Sequence, residues 1–545
     1  MKRLAVAVLL GGLVACGTPD PAPSLPAAPP VPDDATVWTN ATVLVPDGTA
    51  SGIRTANGVI THVWTGEAPA DATGSVVDLG GAFVLPGLVD AHLHLRGIGR
   101  AARQLRLVGT DSPAAVAALV AAETDRDPGT WIRGRGWDQN DWVVKDFPTA
   151  AVLDAVAPEH PVWLTRVDGH AVWVNTRAME LAGITKETPD PPGGRIIRDA
   201  SGDAMGVFVD AAIDLVAGQL PEPTAAEIRA DLQRGIALCQ AAGLTGGHDM
   251  GVGPTVLAQL SALEAEGALG MRVSAYLADG DDLIARIGTP PDRDGLLQVP
   301  GVKLFADGAL GSRGAALKAD YDDAPGTRGL LQKTPHELAT TAGAVHEAGY
   351  QLAIHAIGDR GISVALDAIA AAQGPDRSRR HRIEHAQVVD PAEFDRFAEL
   401  GVVASMQPTH ATSDMPWAEA RVGPERIAGA YAWRQMLDRG IALAFGSDAP
   451  VEEHAPRFGL HAAVHRTAPD GAPAGGWRMQ DAVTFEEALA AFTTGAAHAA
   501  HRPGGALRVG APADFVAFAE DPRAGGLLDL TVRRTVVAGD TVFPR

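Results

Sequence analysis

GVKLFADG at 301–308, QLAIHAIGD at 351–359, HRIEHAQ at 381–387, VVASMQP at 402–408 and IALAFGSDAP at 441–450 share one pattern. Each is an apolar run of strand length carrying polar residues at or near its C-terminal end. Between them, ELATTAGAVHEAG (337–349) and GISVALDAIAAA (361–372) read as alanine-rich helices. Strand–helix alternation sustained over several hundred residues predicts a parallel α/β barrel. The C-terminal ends of barrel strands form the face that carries active sites. That placement turns histidines scattered along the chain into one candidate site.

Outward from this core, the chain reads as short strands at both ends. ATVWTNATVLVPDG (35–48), GVITHVW (58–64) and SVVDLGGAFVLPG (75–87) lie on one side, ADFVAFA (513–519) and TVRRTVVAGDTVF (531–543) on the other. Segments from the two ends can build one domain, because termini often lie close together. Before them, Lys2 and Arg3 precede an apolar run over 4–14, and Leu13-Val14-Ala15-Cys16 resembles a bacterial lipobox. The run is too short to span a bilayer. Residues 17–34 are proline-rich and read as an extended tether. The expectation is a cell-envelope protein held to a membrane only through lipid on Cys16. Cys239 is the one other cysteine, so no disulfide framework is expected. A formal charge of −21 argues against nucleic acid as a partner.

His92 and His94, in Asp90-Ala91-His92-Leu93-His94, follow the apolar VLPGLV (84–89). Residues two apart on a strand point to the same side and can grip one ion, although a bare pair is also met on protein surfaces. His355 and His385 read singly as core or surface histidines. Asp448 alone reads as a helix N-cap. Lys303 between apolar neighbours is costly unless paired, modified or snorkelling to solvent. Together they make a metal-ligating set: imidazole and carboxylate suit zinc and its neighbours. One such ion lowers the pKa of bound water to about 7, and two ions about 3.5–4 Å apart can share that water. A carboxylate beside them can pass the proton to a leaving nitrogen.

The order PGLVDAHLH (86–94), GVKLFADGALGSR (301–313), HAIGD (355–359), RIEHAQ (382–387), SMQPTH (405–410) and GSDAPV (446–451) resembles the amidohydrolase superfamily. GRGWDQNDW (134–142) and VDGHAVWVN (167–175) narrow the resemblance to the amidohydrolase-3 branch, with its YtcJ-like and N-substituted formamide deformylase-like proteins. It covers the chain from about Ala35 to its end. The resemblance implies a (β/α)8 TIM-type barrel with a small β-sandwich built from both chain ends. The domains are then 1–16 signal peptide, 17–34 tether, 35–86 and 501–545 sandwich, and 87–500 barrel with an insertion at about 110–240. It implies His92 and His94 on the first strand, Lys303 on the fourth, His355 on the fifth, His385 on the sixth and Asp448 on the eighth. It also implies one or two divalent ions, zinc foremost, and a carboxylated Lys303 bridging two of them. Gly314 departs from the branch, which usually has threonine there.

Trp137, Asp138, Trp142, His170 and Trp173 fall in the insertion, where they either cap the barrel mouth or form the insertion's own core. Trp137 and His170 are candidate substrate contacts. His410 is a candidate for a hydrogen bond to the substrate carbonyl. Arg313 offers a fork for a carboxylate. The function expected is hydrolysis of an amide-type C–N bond in a small molecule, with Asp448 as the catalytic proton carrier. Hydrolysis of esters, lactones or phosphotriesters at the same site, and a non-catalytic binding lipoprotein, are the competing readings. A homodimer is compatible with the sequence.

Overall fold

The computed structural model describes residues 34–280, 283–287 and 295–544. Cys16, and nearly all of the tether, lie outside the described residues. Among those described, no helix is long and apolar enough to cross a membrane.

Eight parallel strands form the central sheet: Leu88–Leu93, Leu244–Val252, Arg272–Ala278, Leu297–Phe305, Gln351–Ala356, Arg382–His385, Val403–Met406 and Leu443–Phe445. They pair in chain order, with Phe305 opposite His355 and Ala356 opposite His385. A parallel bridge from Leu93 to Ala449 joins the last strand's exit to the first strand. The Asp448 amide donates to the His92 carbonyl (2.7 Å) and the His94 amide to the Ala449 carbonyl (2.9 Å), which tightens the seam. This is the α/β barrel of TIM type that the alternation predicts. Its helices begin where local signals say they should. Thr334 caps Pro335–Glu347 reciprocally with Glu337, and Thr224 caps Ala225–Ala241 with Glu227.

The insertion leaves the barrel after the first strand and its helix, Leu95–Ala101. It folds a six-stranded sheet from strands between Leu105 and Asp210. The chain returns through helix Ala225–Ala241, which crosses Leu95–Ala101 at two glycines. A Cβ on Gly99 would stand 1.8 Å from the Asp231 carbonyl oxygen, and one on Gly235 2.2 Å from that of Leu95. Only residues without a side chain permit that approach.

A third sheet of eight strands draws on both chain ends. Ser75–Pro86 pairs with Thr36–Val45 on one side and with Phe515–Phe518 on the other. Trp38 packs edge-on against Phe515 at 5.0 Å.

Candidate metal centre and active-site pocket

The candidate ligands converge because the barrel strands end together. His92 is buried at the end of the first strand, and its Nδ1 lies 2.6 Å from Glu384 Oε2. Arg382 donates from Nε to Glu384 Oε1 (2.5 Å) and from Nη2 to Oε2 (3.1 Å), holding that carboxylate ionised in a buried place. His94 Nδ1 lies 2.9 Å from the Met250 carbonyl. A carbonyl or carboxylate only accepts, so each Nδ1 carries the proton and each Nε2 is left with its lone pair.

Both Nε2 atoms face Asp448: its Oδ1 is 3.4 Å from that of His92 and 3.1 Å from that of His94. Two ligands about 2.0–2.1 Å from a tetrahedral ion stand about 3.3–3.4 Å apart. His92, His94 and Asp448 therefore have both the chemistry and the spacing for a divalent metal, and their ligand atoms all lie within 4.8 Å of one another. Lys303 Nζ is 3.3 Å from His92 Nε2, and burial pulls this lysine down to about 8. His355 and His385 follow, with ring centroids 4.6 Å apart and His385 4.8 Å from His92. His385 Nδ1 is held by Gln407 Oε1 at 2.9 Å and His355 Nε2 by the Gly308 carbonyl at 3.3 Å. Burial holds both imidazoles well below their usual pKa and takes His92 down to about 4, so all three are neutral lone-pair donors at neutral pH. All six expected residues line one cleft of about 430 Å³.

Two of these positions bend the backbone. Glu384 and His385 are neighbours, which a regular strand would send to opposite faces. His385 (φ 70°) and Ala386 (φ 43°) break the pleat there, and Asp448 (φ 58°) also sits in the left-handed region. Such conformations are costly for non-glycine residues and cluster at functional sites.

A larger cavity of about 570 Å³ shares His355, His385 and Asp448 with that cleft and is lined in part by the insertion. His170 and His410 both line it. His410 Nε2 is buried without a hydrogen-bond partner, 4.0 Å from Asp448 Oδ2. Burial opposes charge on His170, but Asp210 at 2.7 Å outweighs it and raises the imidazole to about 9. Trp137 and Arg313 are not brought to the site, which corrects their reading as substrate contacts. Trp137 is fully buried, donates to the Leu164 carbonyl (2.8 Å), stacks on Trp142 and meets Trp173 edge-on in the core of the insertion. Arg313 spends its fork on Asp323 (3.2 and 2.9 Å) and lines neither cavity.

Sequence reasoning missed Glu384 and Arg382 behind His92, Asp210 behind His170, and Asp90, which accepts from the His92 and Ser447 amides at 3.0 Å each. Glu384 and Arg382 stood inside RIEHAQ, where charge in an otherwise buried strand was the available signal.

Comparison with known proteins shows the family. The profile of the amidohydrolase family, Amidohydro_3, matches residues 75–543. YtcJ of Bacillus subtilis (strain 168) is 32% identical over 484 residues, 86% of this chain and 90% of that protein. N-substituted formamide deformylase of Arthrobacter pascens is 30% identical over 516 residues, 88% of this chain and 91% of its own. Among solved structures, an uncharacterised metal-dependent hydrolase from Pyrococcus horikoshii superposes with a TM-score of 0.75 at 27% identity, covering 91% of this chain and 99% of that one. On a match that runs through the barrel, the insertion and both chain ends, this chain belongs to the amidohydrolase family.

Proposed function

We propose that this metal-dependent hydrolase splits an amide-type C–N bond of a small molecule held in the 570 Å³ cavity. The observation that carries the reading is the unpartnered Nε2 of buried His410, 4.0 Å from Oδ2 of Asp448, the carboxylate of the metal-fitting cluster. The same bond class is named by one relative, the formamide deformylase. His92, His94, Lys303, His355, His385 and Asp448 would hold one or two divalent ions, zinc first among them. When bound, such an ion supplies a water of lowered pKa and draws electron density from a carbonyl oxygen.

The residues do the rest. His410, kept neutral by burial, donates through Nε2 to the substrate carbonyl. Asp448 holds the proton released by the attacking water and delivers it to the leaving nitrogen. Glu384 fixes the His92 ring by accepting from Nδ1. Lys303, partly uncharged at neutral pH, can take up carbon dioxide and become an anionic ligand. We also read the sheet from both chain ends as the expected small sandwich, and Cys16 as a lipid attachment site; mass spectrometry of the protein from its native membrane tests the latter.

The deciding experiment measures metal per chain and turnover on matched amides and esters. About two zinc-like ions, and turnover that prefers the amides, are expected. Ester turnover without amide turnover would overturn the C–N reading. No stoichiometric metal after supplementation with zinc and bicarbonate would overturn the mechanism.

A further inference from the structure

The acidic chain gathers positive charge at one place beside its metal-fitting cluster. Arg96, Arg100 and Arg135 all line the 430 Å³ cleft that holds the six ligand-type residues, in a protein with a formal charge of −21. Arg96 and Arg100 come from the helix after the first barrel strand, and Arg135 from strand Ile132–Trp137 of the insertion. The glycine crossing at Gly99 and Gly235 fixes the helix that carries the first two.

Several other arginines are neutralised by carboxylates. Arg166 is buried between Asp138 and Asp168, Arg106 meets Glu453 at 2.9 Å, and Arg313 and Arg421 share Asp323. Arg135 differs. Its Nε donates to the Pro450 carbonyl (3.3 Å) and its Nη2 to the Val167 carbonyl (2.7 Å). One carbonyl belongs to the loop after Asp448 and the other to the insertion, so the guanidinium is held in place from both sides. Among the described residues, no carboxylate lies within ion-pair distance of it. Both N–H groups of Nη1 and one of Nη2 are left without a protein partner, and they form the planar edge that matches a carboxylate. The same side chain lines the 570 Å³ cavity as well as the cleft.

A half-buried, pre-oriented cation with no carboxylate in ion-pair contact costs free energy in the free protein, and an anionic ligand in contact with it returns part of that cost. Burial and the neighbouring Arg100 pull Arg135 down to about 10, against the opposing pull of Asp448 and Asp168.

We propose that the substrate of this hydrolase carries a carboxylate close to its scissile bond, and that Arg135, not Arg313, is the residue that selects it. The proposal rests on the amide-hydrolase reading for the bond, but its test does not need turnover. Binding of N-acetyl amino acids and their matched primary carboxamides is measured by calorimetry on the full metal-loaded chain, on Arg135→Gln and on Arg313→Gln. The parent is expected to favour the carboxylate by about tenfold or more, one charged fork being worth about that factor. Arg135→Gln is expected to abolish the preference and leave carboxamide affinity unchanged, and Arg313→Gln to keep the preference. A parent without preference overturns the proposal, whatever the variants do. So does a preference that survives in Arg135→Gln with a parental melting curve. Absence of amide turnover, with the carboxylate preference intact, would count against the C–N reading alone.

Discussion

Glu384 reaches the candidate metal only through His92, yet it stands where loss should be felt twice. Replacing it with glutamine removes the acceptor that fixes the His92 ring and leaves Arg382 buried without its counter-charge. We expect Glu384→Gln to weaken zinc binding by about 10–100-fold in a competition titration. The metal-free protein should lose about 3 kcal/mol in denaturant unfolding. Asp448→Asn, by contrast, should retain most of the metal and lose turnover by about 100-fold or more. Equal loss of metal in the two variants would remove Asp448 from proton transfer. At this scale the sequence revealed residue types but not partners. His92, His94 and Asp448 could be proposed because a run of motifs in one order joined them, where each alone reads as a surface histidine or a helix N-cap. Arg313 was misread because Asp323, which engages it, is ten residues away on a loop of irregular course. Arg135, the free one, looks no different in the sequence.

Elements were legible where they obeyed a period. The five strands over 301–450 are apolar runs between helices, and all five are observed. Barrel strands Leu244–Val252 and Arg272–Ala278 went unnoticed. The first reads LTGGHDMGV, and the interior it faces is polar: His248, Tyr276 and Gln351 surround Arg382 in a buried hydrogen-bonded network. A closed barrel that buries charge erases the apolar signal on which strand reading depends. The insertion makes its own prediction about pH. His170, on the turn before strand Ala171–Val174, is raised to about 9 by Asp210 against the opposing effect of burial. A raised pKa stabilises the fold fully below about 6.5, the unfolded value, and the gain disappears as pH rises through about 9. Asp210→Asn should therefore melt well below the parent at pH 6, by a difference on the order of 2–3 kcal/mol that shrinks towards pH 9.5. A pH-independent gap between the two melting curves would refute the ion pair. Where helices Leu95–Ala101 and Ala225–Ala241 cross, Gly99→Val should cost about 3 kcal/mol or more, because its Cβ has only backbone to push against.

For the whole molecule, the metal-fitting residues tie together strands that are far apart in the chain, and an ion bound there favours only the folded state. Chelation should lower the melting temperature by about 5 °C or more, and zinc should restore it. An unchanged melting curve would mean that the cluster binds metal weakly or not at all. The bridge between Leu93 and Ala449 has a consequence in time as well as in space. Asp448 meets His94 across 354 residues of intervening chain. A ribosome will have exposed both histidines long before the aspartate exists. Any nascent or prematurely terminated chain therefore carries imidazoles without their carboxylate. The newly made protein completes its ion site only after its eighth strand has been synthesised and has found the first, so a fully formed metal centre reports the completion of folding.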